Sequence, residues 1–412
     1  MSDHSKSISG LSCATNRRRS LFEWTHGLLG TVSMTAMAVS LTPAAQAACT
    51  TVGAATDCTG STNTRTIVVG DGQTVTVQSG ADVTGATTTS GTAFLEIVGE
   101  DNTLNNNGTI TLTAGAGGRA VRMNATTGDV AFNNLGLIAA LSNSGSGVFL
   151  TTTSGDIDID NVGTIRVDGT GSGLPLNAST QDGDIAFDNA GTITSANRFN
   201  TITLSSANGA VSAINSGSIA GQGVGMAAIG NSVDVTNAQS GVLSGIAQVI
   251  SVSTTGSARV ENEGTISTTN GLGVRVITNG SDVSDAEIVN SGDITSTGSA
   301  TYIRLDDGTA ATVTNSGTLS TSARQGHGLL IISATTDADA NLTATNATGG
   351  SIVTTGESAT GIQVRNNRFL TAGGAVITAE NAGSITTSGN LAHGIDSYSA
   401  GGDSSIINSG SI

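Results

Sequence analysis

From Asn106 onward the chain repeats one short phrase, Asn-x-Gly-x-Ile/Leu, each time preceded by alternating apolar residues. The glycines of the phrase are Gly108, Gly136, Gly163, Gly191, Gly217, Gly241, Gly264, Gly292, Gly317, Gly350, Gly383 and Gly410. They span 302 residues in eleven steps, about 27 residues per step. Two units, at Asn237 and Asn346, carry two extra residues between the Asn and the Gly. A period of this size marks a stacked array, because one unit cannot bury its apolar face alone and only neighbours complete the core.

Inside each unit three short alternating runs recur, for example Asp184-Ile185-Ala186-Phe187-Asp188-Asn189, then Gly191-Thr192-Ile193-Thr194, then Thr201-Ile202-Thr203-Leu204. Alternation of apolar and polar residues is the period of a strand with one buried face. Gly, Ser, Asn and Asp fill the joints, as turns require. After the leader, no stretch keeps an apolar stripe of helical period. The expected fold is therefore all-β: a right-handed parallel β-helix of about twelve three-stranded rungs. At about 4.8 Å per rung it makes a rod roughly 55–60 Å long.

The Asn of each unit shares the parity of the inward residues, as in Ile185, Phe187, Asn189, Gly191 and Ile193. Asn134, Asn161, Asn189, Asn215, Asn262, Asn290, Asn315, Asn381 and Asn408 are then expected to stack inside as an amide ladder, each side chain donating to one neighbour and accepting from the other. Such a column is a structural device. The following Gly suits a corner with no room for a side chain. Pro175, inside the repeats, is expected at an exposed or bulged position.

Composition agrees with a narrow rod. Gly is frequent (57 residues), Pro is rare (2) and aromatics make up 2%, so short Ile, Val and Leu must fill the core. Lys6 is the only Lys, which removes the P-loop lysine and Schiff-base chemistry together.

Residues 1–47 read as a signal peptide. Arg17, Arg18 and Arg19 form its basic region, Leu28 to Leu41 its apolar run, and Ala45-Gln46-Ala47 its cleavage site. The apolar run is short of the roughly 20 residues needed to span a bilayer. Without the leader, 11 basic and 29 acidic residues remain. So acidic a chain repels nucleic acid, which is excluded as a partner. Cys49 and Cys58, nine apart, are expected to form a disulfide in an oxidising compartment. A metal site would need further ligands. Lipidation of Cys49 would need a Leu where Gln46 stands. Residues 48–105 follow the unit poorly and read as an N-terminal cap with irregular rungs; residues 106–412 form the repeat region and stop in the middle of a unit.

Few residues invite chemistry. Asp129, Asp156 and Asp184 each stand five before their Asn, so they should stack on the outer face; Asp160 and Asp188 form a second, shorter column. A solvated acidic face is the main reading, with Ca²⁺ across the first column as a weak candidate and no other metal or cofactor. Gly115-x-Gly117-x-x-Ala120 and Gly223-x-Gly225-x-x-Ala228 imitate a dinucleotide loop, but no helix follows them, so turn glycines explain both. Gly402-Asp403-Ser404 holds the turn position of Gly155-Asp156 and Gly183-Asp184, and repeat phase explains it. His327 and His393 are the only histidines beyond the leader that could act as bases for a triad. Arg275, Arg304 and Arg365 fall in third strands and should face outward on one sheet, either as solvated positions or as a surface for acidic sugars. No catalytic residue is assigned.

The long leader, Ala48-Cys49-Thr50 with a second Cys soon after, and units such as Glu380-Asn381-Ala382-Gly383-Ser384-Ile385 followed by Ala392-His393-Gly394-Ile395 resemble the passenger domains of bacterial autotransporters, the type V secretion proteins. The resemblance covers nearly all of the chain beyond the leader. It implies export through the inner membrane and a place at the cell surface or outer membrane, or release outside the cell. It also implies an adhesive role, with host or neighbouring-cell surface molecules or glycans as partners. The family's outer-membrane barrel would need aromatic girdles, and Tyr398 is the last aromatic here. The expectation is a truncated passenger, or one whose translocator lies elsewhere, and a periplasmic location if the translocator is missing. A non-enzymatic surface is the main reading; a β-helical polysaccharide lyase or hydrolase is the alternative.

Overall fold

The structure is a computed structural model that describes residues 49–279, 284–306, 308–334, 340–366 and 375–412. The expected leader and its cleavage site lie outside the described residues. Every helical or strand element among them is a strand. The strands form three sheets of fifteen, thirteen and thirteen members. In each sheet a strand pairs with the strand three places on in the chain, so the backbone coils through the three sheets in turn. All pairings are parallel except that of Cys49–Val52 with Ala55–Cys58. This is a parallel β-helix.

The period-2 pattern decides which side chains enter the core. In Ile185–Asn189 the burial alternates strictly, with Ile185, Phe187 and Asn189 inside and Ala186 and Asp188 outside. The strand pairs in register on both sides, Asn161 with Asn189 and Asn189 with Asn215. One continuous apolar cluster of small and medium side chains therefore runs from Cys58 to Ile385. Each fully buried Ile, Val or Leu contributes about 1.5–3 kcal/mol relative to exposure. Burial of this kind supplies most of the stability; the polar column inside supplies the alignment.

Eleven amide–amide hydrogen bonds link twelve asparagines, with every Nδ2 donating to the Oδ1 of the next rung. The series begins Asn106, Asn134, Asn161, Asn189 and ends Asn346, Asn381, Asn408, with lengths of 2.6–2.8 Å. Asn237 and Asn346 keep their places despite their two extra residues, which the turn absorbs before Gly241 and Gly350. At the N-terminal end the column continues as Val77 and Cys58, and Asn106 Oδ1 is left buried without a partner. The Gly two residues after each Asn answers to crowding. A Cβ on Gly191 would lie 2.1 Å from the carbonyl oxygen of Gly163 in the rung below.

One detail extends the sequence reading and another differs from it. Residues 49–105, which lack the repeat phrase, already stack in the same three sheets: Thr66–Val69 pairs with Ala93–Val98, and Thr74–Val77 with Asn102–Asn106. Apolar burial alone suffices to continue the stack where the Asn is missing. Pro175 is buried, not exposed or bulged; it precedes the strand Leu176–Thr180, so its missing N–H removes no bond within that strand, and its carbonyl still accepts from Val148 at 2.8 Å. The disulfide joins Cys49 and Cys58 across the antiparallel pair that closes the N-terminal end.

Asn262→Ala leaves Asn237 Nδ2 and Asn290 Oδ1 without amide partners inside the core, so it should cost about 3 kcal/mol, while Asn408→Ala, at an exposed position, should cost less than about 1 kcal/mol. Urea titration with hydrogen exchange at the flanking strands measures both. Equal losses at the two positions would show that the ladder carries no special burden.

Candidate functional site

One thirteen-stranded sheet contains Leu272–Thr278, Thr301–Leu305, Leu329–Ser333, Thr360–Asn366 and His393–Ser399, and its outer face gathers polar side chains near the C-terminal end. Register places Arg275, Tyr302, Leu330, Gln363 and Asp396 in one outward column. Arg304, Ile332, Arg365 and Tyr398 form the column beside it. The three arginines therefore do share a sheet, but they make no cationic strip. Arg304 Nε lies 2.7 Å from Asp306 Oδ1, and Arg365 lies 2.6 Å from Asp396 Oδ2. With two of the three neutralised, the arrangement gives no support to an acidic-sugar surface, the alternative to solvated positions.

Three successive rungs build a cleft of about 360 Å³ at the edge of this face. His327, Thr360 and His393 stand one above another, each 33 residues from the next, and Gln363 and Asp396 repeat the same step. Gln325, Ser358 and Leu391, also 33 apart, form the rim with φ of 57°, 55° and 56°. Non-glycine residues rarely adopt that conformation, and Leu has no polar side chain to compensate it.

His327 is 7% exposed. Its Nδ1 accepts the Thr360 N–H at 3.1 Å, and its backbone N–H donates to Ser299 Oγ at 3.2 Å. An accepting Nδ1 places the proton on Nε2. The hydrogen bonds of His327 to described residues run through Nδ1 and the backbone N–H, not Nε2, and the ring lines the cleft. Burial, aided by the nearby Arg365 charge and opposed by Asp396, pulls the imidazole down to about 4. It is neutral at pH 7.

Asp396 Oδ2 accepts from both Gln363 Nε2 (2.9 Å) and Arg365 (2.6 Å). Burial works to raise this carboxyl. The hydrogen bonds from Arg365 and Gln363, with the charges of Arg365 and His393, still hold it below its ordinary value. A carboxyl held below its ordinary value is ionised near neutrality and is poorly suited to act as a general acid there. Nor can His327 act in a triad, where Nδ1–H must donate to a carboxylate; here Nδ1 accepts from backbone. The cleft offers both donors and acceptors from its lining side chains.

The other sequence candidates have backbone roles. Asp129, Asp156 and Asp184 do stack, and each Oδ1 accepts the backbone N–H one rung on: Asp156, Asp184 and Ala210, at 2.8, 2.8 and 2.7 Å. Asp101 begins the series by accepting from Asp129 at 3.0 Å. Among the described residues, no group of three or more His, Cys, Asp or Glu side chains is placed to hold a metal ion. Asp160 and Asp188 pair in register beside Asp158 in an open outer groove. Gly115 and Gly117, with φ of 118° and 72°, form a turn that leads into the strand Arg119–Asn124, and no helix follows.

The sequence reading missed the convergence of His327, Gln363, Arg365 and Asp396. The signal was present as the constant step of 33, but the mean period of about 27 conceals it, because the last rungs carry longer turns.

The cleft lies within the part of the chain that known families recognise. Residues 242–412 match the family model described as BigA third pectate lyase-like domain. No curated protein and no solved structure matches the chain. The matched span begins at the strand Val242–Gly245 and includes every residue of the cleft.

His327 generates a pH prediction. Its folded value of about 4 lies below the unfolded value of about 6.5, so the unfolded chain takes up the proton first. Stability should fall as pH drops from about 6.5 to about 4, by up to roughly 3 kcal/mol, and this contribution should be flat below that. His327→Asn keeps an oxygen to accept the Thr360 N–H but cannot titrate. The difference between wild type and variant in urea midpoint against pH isolates the effect, and parallel curves would refute it.

Proposed function

We propose that this chain is an exported cell-surface passenger of the autotransporter kind, a non-enzymatic β-helical rod whose outer faces act as an adhesive or structural interaction surface. The observation that carries the reading is the division of labour in each strand. Inward residues are used up in apolar packing and the Asn ladder, while outward residues stand in straight columns free of any core role. Such columns present a long, regular surface, as stacked-repeat proteins do when they bind partners along their length. The similarity of residues 242–412 to a pectate lyase-like domain supports the β-helical passenger architecture. Fold similarity does not transfer chemistry. The cleft's held carboxylate and its acceptor-bound histidine favour binding over turnover.

The test pairs display with turnover. Expressed with its own leader, the protein should be cleaved by added protease on intact cells, and beads coated with the purified chain should bind other cells. Protection from protease together with inert beads would sink the reading. Purified protein should release no unsaturated product from polygalacturonate; sustained release would overturn the non-enzymatic part and favour the lyase alternative.

A further inference from the structure

The cleft at His327 has unused hydrogen-bonding groups of both kinds. His327 Nε2–H is a donor that takes no part in the residue's hydrogen bonds to described residues, on a side chain that is otherwise buried. Asp396 Oδ2 takes both of that carboxylate's protein hydrogen bonds, from Gln363 and Arg365, which leaves Oδ1 as an acceptor. Gln363 donates through Nε2 and keeps its carbonyl oxygen unused. Leu391, 74% exposed, supplies an apolar patch at the rim.

We propose that this cleft is a sugar-binding subsite that takes one or two residues of an uncharged glycan through pairs of neighbouring hydroxyls. Four considerations select that ligand class. The donor faces the cleft from a side chain that is otherwise packed in the wall, so a ligand must replace the water it would meet, and hydroxyls supply acceptor and donor together. The opposite charges of Arg365 and Asp396 cancel, so a carboxylate or phosphate group gains no net attraction there. A metal ion is disfavoured by the protonated Nε2 facing inward and by the guanidinium beside the only carboxylate. A volume of about 360 Å³ is near the small end of ligand sites, the size of a mono- or disaccharide and not of a cofactor.

Within that site His327 donates to a ring hydroxyl oxygen, and Asp396 Oδ1 accepts from the hydroxyl next to it. Arg365 and Gln363 are positioning residues, because their hydrogen bonds fix the carboxylate plane. No aromatic platform lines the cleft, so the affinity of a single subsite should be weak, with Kd near the millimolar range. Binding of a polymer would gain from repetition only if a second site exists along the rod. The proposal rests on reading the rod as a binding surface, and it names the ligand class.

The experiment uses purified full-length protein, labelled at histidine nitrogen, titrated with lactose, maltose, cellobiose and digalacturonate up to about 20 mM, above the Kd expected of such a subsite. At least one neutral disaccharide should shift the His327 Nε2 resonance in a saturable way, and digalacturonate should not. His327→Asn and Asp396→Asn should each weaken that binding about tenfold or more, with far-UV spectrum and melting point retained. Asp396→Asn serves alone if the histidine variant misfolds. Silence of all three neutral sugars at His327 overturns the proposal, as does tighter binding of digalacturonate or binding unchanged in both variants. Bead adhesion that persists while the sugars fail would strike the subsite and spare the broader reading; sugar binding with inert beads would do the reverse.

Discussion

Every interior strand in this rod takes its backbone hydrogen bonds from the rungs before and after it. A rung has no other source for them, so it exists only while its neighbours do. This constraint reaches every other feature. Parallel pairing in register brings like residues into contact along the axis, and whatever stands inward in one rung must tolerate its own kind in the next. Ile, Val and Leu meet that demand by packing. Asn meets it by being both donor and acceptor, which a buried Ser or Asp cannot do as symmetrically. The uniform direction of the amide bonds follows, since one reversed side chain would set two donors face to face.

The same constraint explains where irregularity is permitted. The extra residues after Asn237 and Asn346 bulge outward while Gly241 and Gly350 return to the corner beneath their ladder partners. A strand insertion would shift the parity and turn the apolar face outward, whereas a turn insertion shifts nothing. Rung length can thus vary while register does not. That freedom made the late rungs long enough to place residues 33 apart in a single cleft, with Gln325, Ser358 and Leu391 in left-handed conformations at its rim.

Parity and period are one-dimensional signals, and they were enough to read the rod, its inward Asn and its outward acidic column from sequence. Ile157, Ile159 and Asn161 fall inside as their spacing requires. Contacts between rungs are a different matter, because they depend on which residue of the neighbouring rung stands opposite. Asp156 reads as one carboxylate in a solvated acidic column; its bond to the Asp184 N–H emerges only once register is known. Arg365 reads as a solvated cation for the same reason, since its partner Asp396 lies one rung away. Pro175 was misplaced because burial at a strand's entrance leaves no mark on parity.

The preference for Arg over Lys also acquires a physical reason. In a column of outward side chains, a cation is flanked above and below by whatever its two neighbouring rungs present. Arg259 faces Asp234 in one direction and Glu287 in the other, and it also reaches Glu261 on its own strand. Three different nitrogens of the guanidinium serve the three carboxylates. Glu96 is held in the mirror-image way, between Arg65 and Arg122. A forked, planar cation spans the interval between rungs with fixed geometry, while an ammonium is a single point that must choose among neighbours. Each such pair on an exposed face contributes little, about 0–1 kcal/mol. Their value lies in relieving the acidic excess that stacking would otherwise concentrate into continuous lines of like charge.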